Sequence, residues 1–414
     1  VFRFPQGVFG REKQTQTLLE AFERACIGST EMVLVEGESG SGKSSLIHEF
    51  QSEVAAREGE FYTGKFERFQ QEIPYQAFVQ ILRQMLSHWL SKDDALLQQQ
   101  KKRLEKALGS NSPLLFEWLP ELELFVEPHP TPASLSPREE SNRFHWTLVQ
   151  LWESLASSEN PKLMFFDDLQ WADPASLRLL EAIVTQEDSL PLLIVGAVRP
   201  KEAQEHRAWT QFLEGLQARE HTWTSMLVQP LTAEPISQWL AEAMRLPIPH
   251  VQPLATLLFD KTRGNPFFLR QFVQDLLQRD LLTFDASARR WTWQLPLLRN
   301  QTVTSNVAEL LTQRLEQLSP ELREVLSWAC CLGTEFPSDQ LSSVLEADEV
   351  EIRKTLSEGV KAELLLSIAH RRDMGDEVPA IRSQFRFVHD RLTQVFYDTI
   401  PEGRKEQIHY TIGR

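Results

Sequence analysis

Met32-Val-Leu-Val35 runs into Gly37-Glu38-Ser39-Gly40-Ser41-Gly42-Lys43-Ser44. Those eight residues keep the spacing GxxxxGK[ST]. A short apolar run ahead of a glycine-rich turn reads as a buried strand, and residues 44–56 read as the helix behind it. Gly37 and Gly42 permit backbone angles that a Cβ forbids. The loop can then turn its N–H groups inward around phosphates, at the positive end of the following helix. Lys43 is placed to reach the β- and γ-phosphates, and the Ser44 hydroxyl to ligate Mg²⁺. Glu38, Ser39, Gly40, Ser41 and Ser45 belong to the same cradle. A random chain of this length shows the spacing roughly once in a hundred tries. Here the strand before it and the helix after it supply the context the motif needs.

Working outward, Leu163-Met-Phe-Phe-Asp167-Asp168 is a second buried strand that ends in acids. A carboxylate at such a strand end stands beside the metal. Asp167 is expected to be that ligand, and Asp168 to reach the water that faces the γ-phosphate. Arg199 closes the apolar run at 192–198 in the same manner. A guanidinium there can report which nucleotide is bound. No Asn-Lys-x-Asp signature for guanine follows the second strand, so the expected ligands are ATP and ADP with Mg²⁺.

Strands at 32–35, 60–63, 163–166, 192–198 and 226–228 alternate with helical stretches at 13–25, 44–56, 75–108 and 142–157. That alternation predicts a parallel sheet with helices on both faces. Six prolines between Pro113 and Pro137 predict a loop or a string of short helices. The Gln98–Gln100 tract reads as a solvated helix face. After Pro230 the strands nearly vanish. Residues 233–282 read as helices, 282–284 and 290–293 as a hairpin, and 304–414 as mostly helical with a strand at 382–388. The expected domains are 1–230, 231–300 and 301–414. No internal repeat is visible.

The 414 residues leave room for more than one core. A net charge of −15 argues against a grip on nucleic acid, which needs a basic surface. Cys26, Cys330 and Cys331 fit neither a disulfide framework nor a zinc spacing, which suits a reducing, cytoplasmic setting. Apolar runs are too short to span a bilayer, and no secretory signal opens the chain. The first residue is Val1, and the last residues, Tyr410–Arg414, fall within a helical pattern. These lead us to expect a piece of a larger protein, with covalently linked sensor or effector domains.

The chain resembles the STAND class of P-loop ATPases, as found in AAA-like modules of large bacterial signalling kinases. The resemblance rests on Phe9-Gly-Arg-Glu12, the P-loop, Gly64-Lys-Phe66 with Pro74-Tyr75, and Asn142-Arg-Phe144. It continues through Asp168-Leu-Gln-Trp-Ala-Asp173, Gly264-Asn-Pro-Phe267, Asn306-Val307 and Phe387-Val-His-Asp-Arg391. It implies a nucleotide domain with sheet order 5-1-4-3-2, then a small helical domain and a winged helix. It implies that Pro266 packs near adenine and that Arg11 lies against the base. It also implies that His389 contacts the β-phosphate of ADP and closes the domains. The implied function is a slow ATPase switch, with nucleotide-dependent self-association among its outcomes. Two other readings stand beside it. A ring-forming AAA motor needs an arginine finger, for which Arg207 and Arg219 are the nearby residues. A DNA-binding regulator would use the helix at 349–363, where four Glu face Arg353, Lys354 and Lys361, a poor match for a phosphate backbone.

Overall fold

Alternate residues of three central strands go to opposite cores, which is how a parallel sheet buried on both faces must read. In a computed structural model of the chain, β1 (Thr30–Glu36) sends Met32 and Leu34 to one face and Val33 and Val35 to the other. β3 (Lys162–Asp167) divides Met164 and Phe166 from Leu163 and Phe165. β4 (Leu192–Val198) divides Ile194 and Val198 from Leu193, Val195 and Ala197. The structure describes residues 2–5, 7–68, 73–127, 129–130, 136–156, 160–186, 190–287, 289–300, 318–362, 364–371, 381–388 and 390–413.

β2 (Glu60–Lys65) and β5 (Thr224–Leu227) complete the sheet. All neighbours are parallel, in the order β2-β3-β4-β1-β5. This is the expected 5-1-4-3-2 read from the other edge. The order reverses around β1, so the crevice for a ligand lies at the carboxyl ends of β1 and its neighbours. α1 (Glu12–Cys26) and α2 (Lys43–Ala56) cover one face through Leu18, Phe22, Ile47 and Phe50. α3 (Gln76–Leu90), α4 (Asp94–Leu108), α6 (Pro137–Ala156), α7 (Pro174–Val184) and α9 (Arg207–Ala218) supply the core of the other.

The helical stretch expected at 75–108 is two helices. Asp93 accepts a hydrogen bond from Leu96 N at 2.9 Å and so starts α4 afresh, as a capping Asp does. Gln98 and Gln99 are exposed as expected, but Gln100 is buried. The proline-rich stretch gives α5 (Pro113–Phe116) and a 3₁₀ turn at Pro120–Leu124, each opened by its proline. α8 (Pro200–Gln204) follows β4. After β5 come α10 (Ala233–Met244), α11 (Ile248–Thr262) and α12 (Pro266–Gln278).

The chain folds into two compact units. The first is Val1–Phe259 with Arg263–Phe267, and the second is Asp260–Thr262 with Phe268–Arg414. Within the second, β6 (Leu282–Asp285) and β7 (Arg290–Trp293) form the expected hairpin. Further on, β8 (Glu335–Pro337), β9 (Leu365–Arg371) and β10 (Ile381–Phe387) make an antiparallel sheet in the order β8-β10-β9. The helices Pro320–Leu332, Ser338–Leu345 and Glu349–Lys361 precede β9, and Phe336, Leu341, Leu356 and Phe387 are buried. No described helix is long and apolar enough to cross a membrane.

Candidate active site

The loop between β1 and α2 is anchored by Gly37 N donating to Val198 O of β4, 3.2 Å away. Gly42 has φ +91°, the left-handed conformation expected of it. Gly37 does not. Its requirement is space, because a Cβ there would stand 2.8 Å from Ser41 Oγ and 2.9 Å from Val228 O. The other left-handed position is Gly40, at φ +78°, which the spacing alone did not single out. α2 begins at Lys43, one residue earlier than expected.

Lys43 is buried, and its ammonium donates to Gly37 O at 2.9 Å and Glu38 O at 3.1 Å. Burial lowers its pKa, the Arg199 charge adds to that, and Asp168 and Asp167 oppose it. The Ser39 and Ser41 hydroxyls are buried and make no hydrogen bond among the described residues. Glu38 is exposed and pairs with Lys201 at 3.1 Å, and Ser45 is exposed on α2. Arg11 is buried and donates to Ser41 O at 3.2 Å, with its pKa lowered first by that burial. It thus meets the phosphate loop itself.

Ser44 Oγ donates to both oxygens of Asp167, at 3.0 and 2.9 Å. The two expected metal ligands therefore meet at the lip of the loop. Both offer hard oxygen donors, the type that Mg²⁺ takes while keeping waters and phosphate oxygens in its remaining positions. The donor set fits the ion.

Asp168 sits in a left-handed turn with φ +53° and is 5% exposed. Its Oδ1 accepts from Arg199 Nη2 at 2.9 Å and from Gln170 Nε2 at 2.7 Å. Lys65 Nζ at the end of β2 lies 3.6 Å from Oδ2. Gln170 also accepts from Arg199 N at 3.1 Å, so it fixes the acid and the arginine together. Gly196, beneath them, leaves room for Leu169, whose Cδ2 would stand 2.5 Å from a Cβ. Trp171 packs edge-on to His206, with the Arg68 guanidinium 5.3 Å from its ring centre. Asp173 caps α7 and accepts from Tyr75 N at 3.3 Å.

Gly264-Asn-Pro266 also reaches the loop. Asn265 Nδ2 donates to Ser39 O at 3.0 Å, and Phe267 N donates to Gly40 O at 3.3 Å. Pro266 Cγ would stand 3.9 Å from a Cβ on Gly42. Gly264 itself has φ +74°, and a Cβ would meet Leu231 O at 1.9 Å. Lys65, Gln170 and Asn265 are the residues that sequence reasoning passed over. Each stood inside a quoted motif, yet no role had been given to it. His389, Asn306 and Val307 lie outside the described residues.

Asn265→Ala removes one hydrogen bond to the loop, a change of about 0.5–1.5 kcal/mol. The expected result is ADP release accelerated roughly 2- to 10-fold, measured by stopped-flow with a fluorescent ADP. An unchanged rate would mean that the bond does not hold the loop around its ligand.

Three comparisons bear on this geometry. Residues 7–195 match the family described as AAA ATPase domain. Hybrid signal transduction histidine kinase G of Dictyostelium discoideum is 23% identical over 98% of this chain and 14% of its own length. Peroxide stress-activated histidine kinase mak2 of Schizosaccharomyces pombe is 25% identical over 78% of this chain and 15% of its own length. The chain therefore spans about a seventh of the length of these two relatives. Among solved structures, a Signal Transduction ATPase with Numerous Domains protein with a tetratricopeptide repeat sensor, from Pyrococcus horikoshii, is 12% identical. It covers 99% of this chain and 45% of that one, at a TM-score of 0.45. The phosphate loop and the paired acids agree with the match of residues 7–195 to the AAA ATPase domain family.

Proposed function

We propose that this chain is a STAND-class signalling switch, which binds ATP or ADP with Mg²⁺ and hydrolyses ATP slowly to reset itself. The observation that carries the reading is the tie between Asn265 and Ser39 O. The loop that would hold the phosphates is bonded to the residue just before α12, the helix through which the chain continues. A change at the phosphates can then bias a conformational equilibrium beyond the sheet.

In this reading Lys43 binds the β- and γ-phosphates, and Ser39, Ser41 and the loop N–H groups cradle them. Ser44 and Asp167 would hold Mg²⁺, which when bound neutralises charge on the phosphate oxygens. Asp168 accepts the proton of the attacking water. Arg199, held against Asp168 at 2.9 Å, is the residue that a γ-phosphate would compete for. Pro266 and Arg11 flank the base. His389 would contact the β-phosphate and lock a closed ADP state.

The proposed domains are a nucleotide domain at 1–230, a small helical domain at 231–300 and a winged helix at 301–414. The succession helix, β8, helix, helix, β9, β10 supports the last of these. Linkage to effector domains is supported by the much greater length of the two histidine kinases. Against a ring motor, Arg219 is tied within its own chain to Glu181 at 3.3 Å and Thr185 at 3.0 Å. Against DNA binding, Arg353 of the candidate helix pairs with Glu349 at 3.6 Å.

The test is the nucleotide released from freshly purified protein on denaturation, together with steady-state turnover. The expected result is bound ADP and turnover far below the ~10 s⁻¹ typical of enzymes, with both altered in His389→Ala. Fast turnover indifferent to His389→Ala would end the switch reading, and a constitutive hexamer in ATP would favour the motor.

A further inference from the structure

At the amino-terminal ends of β2 and β3, away from the phosphate loop, lies a polar cluster that the ATPase reading does not use. Lys162 opens β3 and is fully buried. Its ammonium stands 3.2 Å from Glu60 Oε2 and donates to Asn160 O at 3.1 Å. Tyr62 donates to the same carboxylate at 3.0 Å, and His88 Nε2 lies 3.6 Å from it. Glu60 is thus fully engaged by its neighbours.

An open cleft borders Glu60 and is lined by Trp89, Lys92, Leu96, Gln100 and Arg103. Two further observations point to a ligand. Gln100 is 9% exposed, and its side-chain oxygen is buried with no hydrogen bond among the described residues, although native interiors rarely leave such groups unpaired. The cleft also carries surplus positive charge in a chain of net charge −15. Glu60 is matched by Lys162, while among the described residues neither Lys92 nor Arg103 makes an ion pair. Burial lowers the pKa of Lys162, Glu60 opposes the change and Arg103 adds to it, which places the Arg103 charge near the buried pair.

We propose that this cleft binds a small organic anion. Arg103 and Lys92 take its carboxylate or phosphate group, Gln100 Oε1 accepts a hydrogen bond from a hydroxyl elsewhere on the same molecule, and its apolar body lies against Trp89 and Leu96. The proposal does not depend on the switch reading, because it concerns the opposite end of the strands.

The test uses the whole chain with ADP and Mg²⁺ present, so that phosphate probes do not enter the P-loop. Benzoate, phenyl phosphate and neutral benzamide, each carrying a 4-hydroxyl that can donate to Gln100 Oε1, are titrated while the Trp89 indole N–H resonance, assigned through Trp89→Phe, is followed by NMR. At least one anion is expected to bind saturably and about tenfold more tightly than benzamide, and Arg103→Ala to weaken it about tenfold. Lys92→Ala, at an exposed position, is expected to weaken it in the same direction, and Lys102→Ala to leave it unchanged. The better anion identifies the group the cleft prefers. The proposal falls if neither anion binds, if benzamide binds as well, or if folded Arg103→Ala and Lys92→Ala both keep the parent affinity.

Discussion

Lys43→Ala is expected to lower ATP turnover about 10²- to 10³-fold, the loss typical of removing one preorganised charge donor, and to weaken ATP binding with it. Lys43 is 6% exposed, and its ammonium is already oriented by Gly37 O and Glu38 O. Removed from water, its charge interacts more strongly with anionic oxygens than a surface lysine would. It also needs little rearrangement when phosphate charge develops. The loss should be local. Alanine is the best helix former, so α2 keeps its start, and the melting temperature should stay close to that of the parent. A coupled ATPase assay and a titration with fluorescent ATP measure the two effects. ATP affinity within about twofold of the parent would sink the phosphate-site reading and everything built on it.

Much of this site was legible because its signals are local. The run from Met32 to Val35, the loop glycines and the helix after them lie next to one another in sequence. Strand, turn and helix each leave a short-range pattern. Asp167 and Arg199 were legible because a strand end fixes where a side chain goes. The partners of those residues were not. Asn265 bonds a carbonyl 226 positions away, and Gln170 receives Arg199 N across 29. No periodicity records such a pairing, and the Gly-Asn-Pro turn drew attention to its proline rather than to its amide. Gly37 was legible as an obligatory glycine but for the wrong reason, since crowding by Val228 and Ser41 becomes visible only when β5 is placed beside β1. The break before α4 was missed because apolar spacing persists on both sides of Asp93. The sheet order came from the resemblance, because alternation of strands and helices by itself leaves several orders open.

The second large effect separates chemistry from binding at the end of β3. Asp168→Asn is expected to cut ATP turnover about 10²- to 10⁴-fold, the range for losing a general base, with ATP affinity changed by less than about threefold. Asparagine is nearly isosteric, tolerates the left-handed backbone at φ +53°, and keeps an oxygen for the Gln170 amide at 2.7 Å. What it lacks is the charge that pairs with Arg199 and Lys65, and a basic oxygen for the water's proton. Asp167→Asn should behave differently. That acid contacts Ser44 at 2.9 Å, so its loss should raise the Mg²⁺ concentration needed for half-maximal rate. Turnover and Mg²⁺ titrations of the two variants, run beside a nucleotide-binding assay, tell the roles apart. If Asp168→Asn turns over within about threefold of the parent, the acid only anchors Arg199. If instead its ATP affinity collapses, the pair holds the loop in shape and the proton acceptor must be sought elsewhere.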